Sequence, residues 1–321
     1  MSGETMIAFG PVPSRRLGRS LGINNIPAKV CTYSCLYCQI GRTAHMRIGR
    51  ELFYGPRRIF AAVRARVEQL EASGETLDYL TFVSDGEPTL DAALGREIRR
   101  LKALGFPIAV ISNSSLLSHA DVREELAAAD WISLKVDSVR EEVWRRLDRP
   151  HPRLRLDDIL EGIRIFRRGF AGKLVTETML VRGVNDSEEQ LRDLGSYLAQ
   201  LAPATAYLSI PHRPPAETWV QPPTEESLAG AWALVSQRVQ HVELLTGYEG
   251  DAFAGEADVE HGLLSIAAVH PMREDAVAAY VERAGRGWEA VAALVAQGRL
   301  IEVEHGGHRF YLRRLARRGS A

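Results

Sequence analysis

The sequence predicts an α/β protein, an incomplete (β/α)6 barrel with a small C-terminal winged-helix domain. Short apolar runs alternate with segments of helical periodicity from residue 16 to residue 239. A polar stretch at 248–259, containing Gly250, Asp251, Gly255 and Glu256, then breaks the pattern. Beyond it, three short helical segments lead into a Gly-Gly hairpin signal. Strands that alternate with helices imply a parallel sheet covered on both faces.

Residues 16–27 read as the first strand, with Leu17, Leu21, Ile23 and Ile26 between glycines and a closing proline. Residues 59–70 place Ile59, Phe60, Val63, Val67 and Leu70 at helical spacing. The alternation then repeats: strand 79–83 and helix 92–104 ended by Gly105, strand 108–111 and helix 120–129, and strand 131–136 with helices 139–147 and 157–167. It closes with strand 174–181 and helix 188–201, then strand 207–210 and helix 225–239. These six units form the first domain, 1–247, with 248–259 as linker. The second domain, 260–321, holds helices 260–268, 274–283 and 288–297, then strands 300–304 and 309–313 around His305-Gly-Gly-His308. Arg313, Arg314, Arg317 and Arg318 make a basic tail.

The composition, 45% hydrophobic and 25% charged over 321 residues, suits a globular chain able to bury a large core. A net charge of −1 gives no reason for whole-molecule attraction to nucleic acid or membrane. The charge is uneven, however. Between Arg15 and Arg66 lie eleven basic residues and the single acid Glu51. Such a sector suits an anionic substrate or an acidic electron donor, or is a solvated face balanced elsewhere. The first ten residues lack the charged and apolar regions of a signal peptide. No apolar run reaches the ~18 residues of a membrane span. The expected compartment is the cytoplasm, without a membrane partner.

All three cysteines fall in Cys31-Thr-Tyr-Ser-Cys35-Leu-Tyr-Cys38. A structural zinc site takes four protein ligands, and a cubane cluster normally takes four thiolates. Three thiols leave one corner open, and no second cysteine pair completes a zinc ribbon. A zinc knuckle completed by His45 is the competing reading. The C-x3-C-x2-C spacing, with Tyr37 before the last cysteine, resembles the radical S-adenosylmethionine (radical SAM) superfamily. The resemblance extends over about 240 residues and is strongest at 9–42, where Gly10-Pro-Val-Pro-Ser-Arg-Arg-Leu-Gly runs into the cysteine loop. It points to a branch related to wyosine-forming tRNA enzymes and molybdenum-cofactor cyclases. The chain lacks the further cysteines of both groups, so neither reaction is transferred.

The resemblance implies a [4Fe–4S] cluster on Cys31, Cys35 and Cys38, with SAM on the open iron. One electron cleaves SAM to methionine and a 5′-deoxyadenosyl radical, which abstracts hydrogen from the substrate. It also implies a one-electron donor of flavodoxin or ferredoxin type. Chemistry in such barrels sits at the C-terminal ends of strands. There Ser84-Asp85-Gly86-Glu87 resembles the family's GGE motif, which takes the ammonium of SAM, with Asp85 in place of its first glycine. As bare residues they equally suit a strand-to-helix turn. Asn113 and Ser114 match the strand that binds the ribose of SAM in relatives, or act as caps for the next helix. Tyr37 matches the aromatic that packs on adenine.

Lys135 is one of four lysines among forty basic residues. Near a strand end it is a tuned amine, a Schiff-base former or a carboxylate anchor, or its head snorkels to the rim. Asp137 and Glu177 are expected to bind SAM or substrate, or to pair with Lys135. His212 and Arg213 are expected to face substrate. Leading substrates are an RNA or a nucleotide-like molecule, with a peptide or protein docked through the winged helix as the alternative. A third reading is a cluster-based transcriptional sensor. Helix 288–297 has no Lys or Arg, which makes reading of DNA improbable.

Overall fold

The computed structural model describes residues 6–246, 259–269, 271–305 and 307–313. The expected linker at 248–259, except its last residue, and the tail beyond Arg313 lie outside them.

The chain opens with a strand that the sequence does not announce. β1 (Ala8–Ser14) pairs antiparallel with β2 (Gly18–Ile23). A loop follows, with the two-residue strands β3 (Val30–Cys31) and β4 (His45–Met46) paired in parallel. Then come α1 (Pro56–Ala72), β5 (Tyr79–Phe82), α2 (Leu94–Leu101), β6 (Ile108–Ser112), α3 (Ala120–Leu126), β7 (Trp131–Lys135), α4 (Glu141–Asp148) and α5 (Leu156–Gly169). The first unit ends with β8 (Lys173–Met179), α6 (Glu188–Leu201), β9 (Thr205–Ser209), α7 (Glu225–Ser236) and β10 (Val242–Leu245).

Eight strands form one sheet in the order β1-β2-β5-β6-β7-β8-β9-β10, parallel from β2 onward. The six expected strands are present, and β1 and β10 extend the sheet at its two edges. The six-unit count was therefore short by one parallel strand. β10 is a four-residue edge strand with one buried side chain, too short to show a period. β1 carries Gly10, Pro11 and Pro13, residues depleted in strands, and prolines are tolerated at a sheet edge because a missing N–H costs nothing there.

The central strands β7 and β9 are apolar and buried nearly end to end, as a sheet covered on both faces requires. Helices α1 and α5 turn Ile59, Val63, Val67 and Leu70, and Ile159, Ile163 and Phe166, onto its outer face. The sheet is open and curls. Leu17, Ala109, Trp131, Val175, Tyr207 and Leu245 form one buried cluster on its inner face. All eight strands contribute to the lining of one cavity of about 310 Å³.

The C-terminal elements are α8 (Val259–Val269), β11 (Met272–Arg273), α9 (Glu274–Arg283), α10 (Glu289–Ala296), β12 (Leu300–His305) and β13 (His308–Arg313). The three expected helices and the hairpin are in place, and β11 adds a third strand in the order β11-β13-β12. This part has its own apolar cluster around Leu263, Met272, Tyr280 and Leu300, against which Val12 of β1 packs. His305 Nε2 lies 3.1 Å from the carbonyl oxygen of Pro211, in the segment after β9.

Gly162 in the middle of α5 shows where packing overrides propensity. Alanine is favoured over glycine inside a helix by about 1 kcal/mol. A Cβ here would stand 2.2 Å from the carbonyl oxygen of Leu117. Gly162→Ala is therefore expected to lower stability by about 1–3 kcal/mol, as overpacking does, in chemical denaturation; an increase would contradict this packing.

Candidate functional site

The cysteine loop is held on three sides by backbone hydrogen bonds. Toward β5, Lys29 N–H donates to the Asp85 carbonyl (2.7 Å) and Glu87 N–H to the Val30 carbonyl (3.2 Å). Toward α4, Ser34 N–H donates to the Asp148 carbonyl, Leu36 N–H to that of Leu147, and His151 N–H to that of Thr32. On the third side Glu217 N–H donates to the Leu36 carbonyl, and the Glu217 carboxylate holds Arg42 and Arg149.

Gly86 is explained by this seam. A Cβ on it would sit 1.8 Å from the Val30 carbonyl oxygen, so only glycine lets the two backbones meet. Glu87 is buried, and its carboxylate accepts from Thr89 N–H (3.1 Å), Thr89 Oγ1 (2.6 Å), Ser112 Oγ (2.8 Å) and Asn113 N–H (2.7 Å). These bonds tie the end of β5 to the end of β6. Asp85 differs: one oxygen accepts from Asn24 Nδ2 at 3.0 Å, while Oδ1 is buried without a hydrogen-bond partner. Ser84 Oγ donates to Asn25 Oδ1 at 2.6 Å.

Cys31, Cys35 and Cys38 are free thiols. Burial, and after it Glu87, pushes the Cys31 pKa up to about 12; burial also raises those of Cys35 and Cys38. Each ligand must lose its proton to bind metal, so the loop favours ionised sulfur only when a cation is present. The side chain of His45, the fourth ligand in the zinc reading, is exposed. Among the described residues no three His, Cys, Asp or Glu side chains surround a single ion. A cluster, whose thiolates bind separate irons, does not need them to.

Asn113 Nδ2 donates to Thr32 Oγ1 (2.8 Å) and lies 3.5 Å from Cys31 Sγ. Ser114, at φ 69°, is fully buried and gives its hydroxyl to the Lys135 carbonyl at 2.9 Å. Tyr37 donates its hydroxyl to Asp137, which also accepts from Met179 N–H at 2.6 Å. Asp148 adds a second carboxylate 3.3 Å from the same hydroxyl. Burial and then Asp137 raise the Asp148 pKa well above the usual carboxylate range. Asp148 was not foreseen; it ends a helix of ordinary pattern.

Lys135 Nζ lies 4.9 Å from the centre of the Tyr37 ring and donates to Glu177 Oε1 at 3.0 Å. Arg16 Nη1 reaches Glu177 Oε2 at 2.5 Å, and its guanidinium sits near the rings of Trp131 and Tyr207. Burial alone would discharge this group. Instead Lys135, then Arg16, holds Glu177 well below the usual carboxylate range. Against the same burial, Glu177 and then Asp137 hold the Lys135 ammonium above the ordinary lysine value. In this state Lys135 is a charged anchor and not a neutral amine. Arg16 is the main residue that the sequence reading left out of the site; one arginine in a run of eleven basic residues carries no distinguishing pattern.

The 310 Å³ cavity gathers Tyr37, Cys38, Lys135, Glu177, His212 and Arg213 with Arg16. Asn113 and Asp137 line a small pocket on the far side of Lys135. Ser84, Asp85, Gly86, Glu87 and Ser114 line neither cavity.

Comparison with known proteins agrees with this architecture. The profile of the radical SAM superfamily matches residues 25–195. The chain is similar to a UPF0026 protein of Methanocaldococcus jannaschii, 43% identical over 314 residues, 97% of each chain. It is similar over 76 residues, at 34% identity, to an S-adenosylmethionine-dependent nucleotide dehydratase of Lacinutrix mariniflava, covering 24% of this chain and 15% of that one. The fold is similar to that of TYW1 with a lysine–pyruvate adduct bound, with a TM-score of 0.51 at 15% identity over 69% of this chain and 74% of that one. Among the described residues no helix is long and apolar enough to cross a membrane.

Burial pushes the Asp85 pKa up to about 7 from an ordinary 3.8. A raised folded-state value means that stability is greatest below the unfolded pKa and falls as pH rises through the folded one. Asp85→Asn is therefore expected to gain stability over the parent by about 2–3 kcal/mol between pH 5 and pH 8, in parallel denaturation curves; a pH-independent difference would contradict the assignment.

Proposed function

The chain belongs to the radical SAM superfamily and is an iron–sulfur enzyme that uses S-adenosylmethionine, and from that premise we propose hydrogen abstraction from an RNA or nucleotide-like substrate. Cys31, Cys35 and Cys38 would hold a [4Fe–4S] cluster with one iron left for SAM. With SAM bound, a reduced cluster there would supply one-electron chemistry at the sulfonium, and with it the means to remove hydrogen from a neighbouring C–H bond.

The observation that carries this reading is the buried Oδ1 of Asp85, an acceptor with no donor, at the end of the strand beside the cysteine seam. An ammonium brought there would satisfy it. Glu87 has its acceptor positions filled, so its part in holding SAM would be indirect, through the shape of the turn. Asn113 and Ser114 would serve SAM in the same way, by fixing the end of β6. Tyr37, pinned by Asp137, would offer its ring to the nucleoside. Lys135, Glu177, His212 and Arg213 would meet the substrate in the cavity, which also keeps water from a radical.

The nucleotide lean rests on the basic sector of residues 15–66 and on the likeness to a nucleotide dehydratase. The chain would divide into 1–247 and 260–321 around the linker 248–259. The helix–strand–helix–helix–hairpin order of the second part suits a winged helix. Its hairpin meets Pro211, beside cavity residues His212 and Arg213, which favours peptide docking as the second reading. The electron donor would be of flavodoxin or ferredoxin type.

The test is anaerobic reconstitution followed by dithionite and SAM. 5′-Deoxyadenosine and methionine are expected by mass spectrometry, with loss of both on Cys31→Ala, Cys35→Ala or Cys38→Ala. A preparation that binds SAM but never yields 5′-deoxyadenosine, with RNA, nucleotides or peptides present, would defeat the proposal. Asp85→Asn is expected to weaken SAM binding roughly tenfold, about 1.4 kcal/mol, with the cluster absorption retained; unchanged affinity would remove Asp85 from the SAM site.

A further inference from the structure

The arginines of the outer wall are not alike. On α5 and α6, Arg164, Arg168 and Arg192 each meet a carboxylate, that of Glu161 or Glu188. On the neighbouring helices α1 and α2, Arg57, Arg58, Arg96 and Arg100 are exposed. Among the described residues no carboxylate lies within ion-pair distance of these four. Arg64 has one, Glu68, at 3.5 Å, with both side chains largely in solvent. Such a pair contributes little.

Aromatic rings hold this group in place. The guanidinium of Arg100 lies 5.0 Å from the centre of the Phe60 ring and that of Arg64 5.8 Å. One ring of α1 thus gathers an arginine from each helix. Arg58 lies 5.3 Å from the centre of the Tyr54 ring. Arg57 shares the face of Phe60 and Arg64 on α1, and Arg96 stands one turn before Arg100 on α2. A ring restrains a guanidinium without using its N–H donors, which stay open to solvent.

Helix stability does not account for these residues. α1 has no acid in its first turn and carries Arg57 and Arg58 there, whereas every other described α-helix has at least one acid at that place. Cations near a helix N-terminus are disfavoured by its dipole. Arg57 and Arg58 therefore work against the helix that bears them.

We propose that the seam between α1 and α2 is a docking surface for RNA, with Arg57, Arg58, Arg64, Arg96 and Arg100 meeting its phosphates. The choice of polyanion rests on the RNA reading above. From Arg57 to Arg64 the row runs about 10 Å along α1, at ~1.5 Å per residue. A lone phosphate does not fill that length, and a phosphodiester chain does. Planar guanidinium donors take phosphate oxygens in pairs, which favours phosphate over scattered carboxylates. The seam also adjoins the site. Residues 45–55 lead into α1; among them Arg47 N–H donates to the Cys31 carbonyl at 3.0 Å. Glu51 N–H donates to the Leu90 carbonyl, and the Glu51 carbonyl accepts from Ala92 N–H, just before α2. RNA on the seam therefore lies beside the segment that edges the cysteine loop.

The test uses full-length reconstituted protein and a fluorescein-labelled RNA hairpin, read by fluorescence anisotropy over a series of sodium chloride concentrations. The parent is expected to bind with a Kd that weakens steeply with salt. Arg58→Gln, Arg64→Gln and Arg100→Gln combined are expected to weaken binding roughly tenfold or more and to lower the slope of log Kd against log salt by about 3, one per phosphate contact. Arg57→Gln with Arg96→Gln leaves the ring contacts intact and is expected to lower that slope by about 2, which serves should the triple variant be unstable. Arg164→Gln, Arg168→Gln and Arg192→Gln combined remove the same charge from the other wall and are expected to leave Kd nearly unchanged. Absence of RNA binding by the parent overturns the proposal. So does an equal loss in the two triple variants, which would assign the attraction to overall charge. Poly-L-glutamate binding as tightly as the RNA, through the same three arginines, would mark an acidic protein as the partner and overturns it too. No turnover is read, so 5′-deoxyadenosine formed with a small nucleotide would leave the enzymatic reading standing where this one fails.

Discussion

The close approach of Gly86 to the Val30 carbonyl sets the rest of the site. A loop with three thiols has little intrinsic order, and burying those thiols raises their pKa values. The seam of backbone bonds between residues 29–30 and 85–87 removes that freedom by laying the loop along the end of β5. Glu87 then extends the restraint sideways, since a carboxylate with four donors fixes the ends of β5 and β6 to each other. Sulfur positions thereby become a property of the sheet instead of the loop.

A second constraint is electrostatic. Glu177 lies between Arg16 and Lys135, one carboxylate for two cations, with burial working against all of them. The carboxylate is held ionised by both cations, and the Lys135 ammonium is held charged by the carboxylate. Removing any member would leave charge in a place where solvent cannot compensate it. That arrangement links the turn between β1 and β2 to the ends of β7 and β8.

Much of this was legible in the sequence, and the exceptions have physical causes. Parallel strands buried on both faces read as unbroken apolar runs, so β5 to β9 were evident. β1 hid because Gly10, Pro11 and Pro13 argue against a strand everywhere except at an edge. β10 hid because four residues hold too few side chains to display a period. The cysteines announced themselves by spacing. By contrast, Arg16 and Asp148 act through partners more than a hundred residues away, which no local pattern encodes. The glycine and glutamate at 86 and 87 were picked out as cofactor ligands; the tertiary fold gives them work within the protein first.

Val12 belongs to two places at once. It lines the cavity from β1 and packs against the apolar cluster of the C-terminal elements. One methyl-bearing side chain is thus a shared wall, so that a change of its bulk is felt on both sides at once. The C-terminal part therefore shares a side chain of β1 with the cavity.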